Sequence, residues 1–101
     1  MIDKVLGSHT KLKIVLTLWR HGEMNMAALV EKVGAAHQTV VQQLEQLIDY
    51  GVVEVRQVGR MRLYRVARDP AFQQLAEALA RTDEWLAARL GGSAPLSNAE
   101  D

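Results

Sequence analysis

Apolar residues in the first half of the chain recur at three- and four-residue spacing in a series of short runs, give way to a stretch of alternation, and then resume the helical period. Ile2, Val5 and Leu6 fall at i, i+3 and i+4 and predict a short helix that Gly7 stops. Ser8 is placed to cap a second helix over about His9 to His21. Its stripe is Leu12, Val15, Leu16 and Trp19, widened by Ile14 and Leu18, so burial over much of its surface is expected. Arg20 and His21 occupy the last turn, where a cation complements the helix dipole, and Gly22 ends it. Met24 to Met26 has room only for a stub strand, and Asn25 caps a third helix, about Met26 to Val33, that buries Leu29, Val30 and Val33.

Gly34-Ala35-Ala36 then turns the chain into a fourth helix over about residues 36 to 50. Val40, Leu44, Leu47 and Ile48 share its buried face, while His37, Gln38, Gln42, Gln43 and Gln46 fall on the other side. Gly51 closes the helix in the left-handed conformation, and Val52, Val53 and Val55 shift the period toward that of a strand. Val58-Gly59-Arg60 reverses the chain and Met61 to Val66 returns as a second strand, giving a ribbon over about 53 to 66. Periodicity leaves the register open: a slip of one residue exchanges Arg60, Arg62 and Tyr64 with Met61, Leu63 and Arg65 between the two faces.

Asp69-Pro70 starts a last helix that reaches about Leu90, with Phe72, Leu75, Leu79, Leu86 and Leu90 on an a/d seam and Thr82 in the remaining slot. Such a helix, roughly 30 Å long, carries more apolar edge than a small core covers. The expected architecture is mainly α with a small β-wing: a winged helix-turn-helix domain over residues 1–90, its helix-turn-helix at about 26–50, then a flexible acidic tail over 91–101.

Composition narrows the chemistry. One hundred and one residues, 49% of them hydrophobic, make one domain with a modest core, which a second copy would help to cover. The absence of cysteine excludes disulfides and the common structural zinc sites. No apolar run approaches the roughly 20 residues of a membrane span, and without a signal-type segment the cytoplasm is the default location. Net charge is zero, yet residues 53–68 carry five arginines against Glu54 alone, a balance of +4, and residues 69–101 carry Arg81 and Arg89 against six acids, a balance of −4. A basic ribbon thus sits in a neutral protein.

KLKIVLTLWRHGEM, TVVQQLEQLIDYGVVE and GRMRLYRV, in this order, resemble the winged helix-turn-helix repressors of the arsenical-resistance-repressor (ArsR) family over about residues 8 to 68. The resemblance implies a homodimeric regulator of double-stranded DNA, with the dimer built from the first and last helices; Ile2, Val5, Phe72, Leu75, Leu79 and Leu86 are the residues this assigns to the interface. Three departures stand out. Met24 to Leu29 lacks the cysteines of the family's thiolate sensor, no histidine follows His37 to complete a second sensor with Asp83 and Glu84, and Ala36 and Val41 replace the usual serines of the turn and reading helix. Loss of the first serine removes a cap worth about 1 kcal/mol.

In this reading Gln38, Thr39, Gln42 and Gln43 contact bases in the major groove, glutamine matching adenine and Thr39 or Val41 a thymine methyl group. His37, Arg56, Arg60 and Arg62 contact the backbone or minor groove, with Lys11 and Lys13 as secondary phosphate contacts. The plainer alternatives are that glutamines are good exposed helix formers and that arginines on an edge strand discourage aggregation. No lysine or arginine lies between Lys32 and Arg56, which keeps open a protein-interaction module as a rival. The sequence calls for no cofactor and no metal: His9, His21 and His37 sit at helix ends, and no nucleophile elbow, phosphate loop or paired metal-binding histidines suggests an enzyme. A small-molecule effector between the last helix and the core is neither shown nor excluded.

Overall fold

A computed structural model describes residues 1–90, which run in the order α1 (Ile2–Leu6), α2 (His9–His21), β1 (Met24–Asn25), α3 (Met26–Val33), α4 (His37–Asp49), β2 (Val53–Val58), β3 (Met61–Val66) and α5 (Pro70–Arg89). The flexible acidic tail expected over 91–101 lies outside the described residues. Three helices begin where a short polar side chain can take an orphan N–H. Ser8 Oγ accepts from the Lys11 N–H at 3.2 Å, Asn25 Oδ1 from Ala28 at 2.9 Å, and Asp69 Oδ1 from Ala71 at 2.9 Å, with Pro70 at the first helical position.

Helix α2 is the centre of the fold, packed against α1, α3, α4, α5 and β3. Ile14 to Leu18 are buried in succession, so this helix is enclosed on nearly every side. That enclosure overturns one expectation. Lys11 and Lys13 are both buried and so lie off the open surface on which phosphate contacts were expected. The Lys11 ammonium donates to the Lys4 carbonyl at 3.1 Å and sits 5.6 Å from the centre of the Tyr50 ring, tying α1 to the end of α4 through a cation–π contact. Its apolar stem fills the space between, which is how a lysine can count as interior.

The sheet is antiparallel in the order β1-β3-β2. Pairing of Val53 with Val66 through Val58 with Met61 leaves Gly59-Arg60 as a two-residue loop and settles the register. Tyr64 and Val66 face the core, with Arg62 further out on the same face, and Met61, Leu63 and Arg65 occupy the other. Helix α4 enters this ribbon through a Schellman turn: Gly51, at φ 82°, donates to the Ile48 carbonyl and Val52 to that of Leu47, both at 2.9 Å. Val52 and Leu47 are both fully buried, the apolar contact such a turn favours.

Helix α5 turns alanines to the protomer's own core. Its fully buried positions are Ala76 and Ala80, small enough to let the helix lie close on α2, and Phe72 and Leu79 are half-buried against the protomer's own core. Arg20 fastens the two helices, donating to the Ala80 carbonyl at 3.2 Å and to Asp83 Oδ2 at 3.1 Å. Val5, expected at a dimer interface, is instead a core residue, because α1 is short enough for its one inward position to be covered by the domain itself.

Candidate nucleic-acid interface

Gly34, in the left-handed conformation at φ 77°, ends α3 by donating to the Val30 carbonyl at 3.0 Å and turns the chain into α4. Val40, Leu44 and Leu47 then anchor the underside of α4, with Ile48 half-buried beside them. On the outward side His37, Gln38, Thr39 and Gln42 are exposed. Gln43 is not part of that surface: it is half-buried, and its Oε1 is enclosed without a hydrogen-bond partner. The reason lies in its spacing, three residues after Val40 and four before Leu47, which puts it on the edge of the buried stripe. Ala36, the residue before α4, makes no side-chain cap, so the first-turn N–H groups of this helix have no side-chain acceptor.

On the ribbon the arginines divide into two sets. Arg56 is held by Glu23 in a two-point contact, Nε to Oε2 at 3.0 Å and Nη2 to Oε1 at 2.7 Å. Glu54 takes Arg65 and Arg68, each Nε at 3.3 Å, and also the backbone N–H of Arg68 at 3.3 Å. Arg60, in the loop, and Arg62, at the outer end of β3, are exposed and pair with nothing among the described residues. The excess positive charge of the ribbon is thereby concentrated at its tip. Sequence reading missed both pairings, although Glu54 stands directly across from Arg65 once the register is fixed.

The ion pairs act on titration as their geometry requires. The Arg56 side-chain hydrogen bond holds Glu23 below its ordinary value of 4.5, and the Arg68 backbone N–H does the same for Glu54. Glu23 in turn raises Arg56. A carboxyl depressed in the folded state stabilises it fully above the unfolded value and loses that contribution as pH falls through the lower folded one. The clamps are therefore intact at neutral pH and open only in acid.

Residues 8–85, from the cap of α2 to the outer part of α5, match the penicillinase repressor family. The chain belongs to that family. Among solved structures, this penicillinase-repressor-family chain is similar to the transcriptional repressor BigR from Xylella fastidiosa, at 32% identity and a TM-score of 0.67 over 78% of this chain and 79% of that one. It is also similar to a homodimeric winged helix-turn-helix DNA-binding domain from Mycobacterium bovis, described as a possible ArsR-family transcriptional regulator, at 28% identity and a TM-score of 0.69 over 86% of this chain and 80% of that one. HlyU from Vibrio cholerae shares the fold at 20% identity, with a TM-score of 0.72 over 80% of this chain and 86% of that one. No curated protein sequence matches.

Away from α4 and the ribbon, this family member leaves further apolar side chains uncovered on α1 and α5. Ile2 is 58% exposed, Trp85 56% and Leu86 42%, and the Arg89 guanidinium lies 4.7 Å from the Trp85 ring centre. An open apolar groove of about 210 Å³ runs between α2 and α5, lined by Leu12, Leu16, Leu79 and Leu86 with Thr82 and Asp83 at its rim. Of the residues assigned to a dimer interface, Ile2 and Leu86 are exposed, Leu75 is half-buried, and Val5, Phe72 and Leu79 pack within the protomer. Among the described residues no group of three His, Cys, Asp or Glu side chains is placed to hold a metal ion, and no helix is long and apolar enough to cross a membrane.

Proposed function

We propose that this protein is a sequence-specific regulator of double-stranded DNA, a transcriptional repressor, that works as a homodimer. One observation carries the reading: Gln38, Thr39 and Gln42 on α4, and Arg60 and Arg62 at the wing tip, stay uncovered and unpaired while the underside of that helix is packed and Arg56, Arg65 and Arg68 are ion-paired. Helix α4 enters the major groove with Gln42 and Gln38 reading base edges. Phosphates meet the uncapped N-terminus of α4, where free N–H groups and the helix dipole favour an anion, and His37 is the side chain nearest to that end. The wing tip grips the flanking backbone or the minor groove. Support comes from family membership and from the Xylella fastidiosa repressor and Mycobacterium bovis DNA-binding domain, the latter also favouring self-association and an ArsR-like lineage.

A reading helix without lysine or arginine puts the phosphate-dependent part of binding on the wings. Each neutralised phosphate contributes about 0.9 to the slope of log affinity against log salt, so the four tip arginines of a dimer account for about 3.6. Replacing both Arg60 and Arg62 with alanine is expected to remove that share and weaken all sequences together. Gln42→Ala is expected instead to relax preference at one base pair by about 1–3 kcal/mol. Titration of labelled duplexes from 50 to 200 mM salt separates the two, and affinity flat with salt in the unaltered protein would reject phosphate-led binding.

A second reading, a winged helix used to bind another protein, is favoured by the acidic character of α4, which carries Glu45 and Asp49 and no lysine or arginine. Capture of genomic fragments against capture of protein partners distinguishes them. The groove between α2 and α5 is smaller than the roughly 300–1,000 Å³ of a drug-sized ligand site and is open, which suits a partner helix better than an enclosed effector.

A further inference from the structure

Arg56 has the position of a phosphate-binding residue and the bonding of a structural one. It lies on β2, an outer strand of the sheet, opposite Leu63 and two positions before the strand ends at Val58. Its side chain is 55% exposed, yet the Nε/Nη2 edge of its guanidinium is taken by Glu23, whose side chain is only 23% exposed. Glu23 belongs to the segment between α2 and β1, 33 residues away in sequence. It reaches Arg56 because β1 adds to β3 and brings the residue before Met24 onto the face that carries Arg65 and Arg56. A carboxylate seated on the Nε/Nη2 edge of a guanidinium offsets its charge and leaves a phosphate only the Nη1 side, next to that carboxylate, so the clamp disfavours a phosphate contact there.

We infer that Glu23 is a specificity-determining residue: by occupying Arg56 it limits each wing to its tip arginines and holds down affinity for DNA of any sequence. This rests on the DNA-binding reading above. Glu54 plays the same part for Arg65 and Arg68 nearer the base of the ribbon, so the face behind the tip is almost neutral. The consequence is selectivity. Phosphate contacts strengthen correct and incorrect sites alike, whereas the contacts of Gln38 and Gln42 do not, so fewer phosphate contacts leave a larger share of the binding to base readout.

The test uses the full chain and a mixed-sequence 30-base-pair duplex, with affinity followed by fluorescence anisotropy across 50–200 mM salt. Glu23→Gln is expected to bind this duplex more tightly and to steepen the salt slope by about 0.9 per protomer, one additional phosphate each. Arg56→Gln alone is expected to keep the slope of the unaltered protein, since the side chain it removes is not in use. The double variant is expected to return to that slope as well. A slope that falls in Arg56→Gln overturns the inference, because Arg56 would then be reaching phosphate past Glu23. So does a double variant that keeps the full gain of Glu23→Gln, which would trace the gain to the lost carboxylate charge. If Glu23→Gln does not fold, Arg56→Gln decides by itself. Failure of the unaltered chain to bind any duplex at 50 mM salt would instead reject the DNA-binding reading, and an unchanged slope in Glu23→Gln with normal binding rejects the clamp alone.

Discussion

Leu86→Glu should yield a folded monomer whose affinity for a two-half-site duplex is lower by about 100-fold or more, the scale on which joining two binding modules raises their combined affinity. Leu86 is the position for this test because it is 42% exposed in the protomer and lines the groove between α2 and α5. Its loss costs the isolated domain little. In a two-fold interface each substitution counts twice, removing about 1.5–3 kcal/mol of side-chain burial per copy and adding a carboxylate to an apolar contact. Leu79 would confuse the result, since it packs against the protomer's own core and a charge there would disturb folding as well as association. Sedimentation velocity gives the assembly state and duplex titration the affinity. A dimer that persists in Leu86→Glu with binding intact would place the interface on another surface and leave the exposed end of α5 with no part in self-association.

Where local period decides a structure, the residues announce it; where a contact depends on two distant elements meeting, they do not. The underside of α4, the caps Ser8, Asn25 and Asp69, and the Gly51 turn all follow from neighbours within four or five positions, and the structure has each as expected. Gln43 was legible too, through its spacing to Val40 and Leu47, but residue type suggested an exposed polar face and concealed it. Lys11 and Lys13 were misplaced because a long side chain can bury its stem and satisfy its ammonium nearby. The buried alanines of α5 went unnoticed for a different reason. Leucines dominate a periodicity count, whereas Ala76 and Ala80 take the buried positions, their small size permitting close approach to α2.

The Glu23–Arg56 clamp was out of reach altogether. It requires the stub strand β1 to pair with β3 in one register, a fact set by tertiary packing that no window of sequence encloses. The candidate interface was accordingly legible in its position on α4 and the ribbon and illegible in its charge. Five arginines suggested a broadly basic wing, and the folded chain leaves Arg60 and Arg62 as the free ones among the described residues.

Leu44→Ala is expected to destabilise the fold by about 2–5 kcal/mol, the usual cost of emptying a buried leucine site that cannot collapse. Against a total of about 5–15 kcal/mol for a natural domain, that change brings the chain toward unfolding near physiological temperature. Leu44 is fully buried between Val40 and Leu47 on α4, and α4 packs on α2 and β2. A cavity there would loosen the one surface that orients Gln38, Thr39 and Gln42, so DNA binding should weaken even in the fraction that stays folded. Gln42→Ala, on the opposite side of the same helix, should change stability by no more than about 0.5 kcal/mol. Urea denaturation of both variants measures the contrast, with the midpoint of Leu44→Ala falling at an unchanged slope. A comparable loss at Gln42 would mean that the outward side of α4 is itself covered in the native protein, and a covered side cannot lie in a groove.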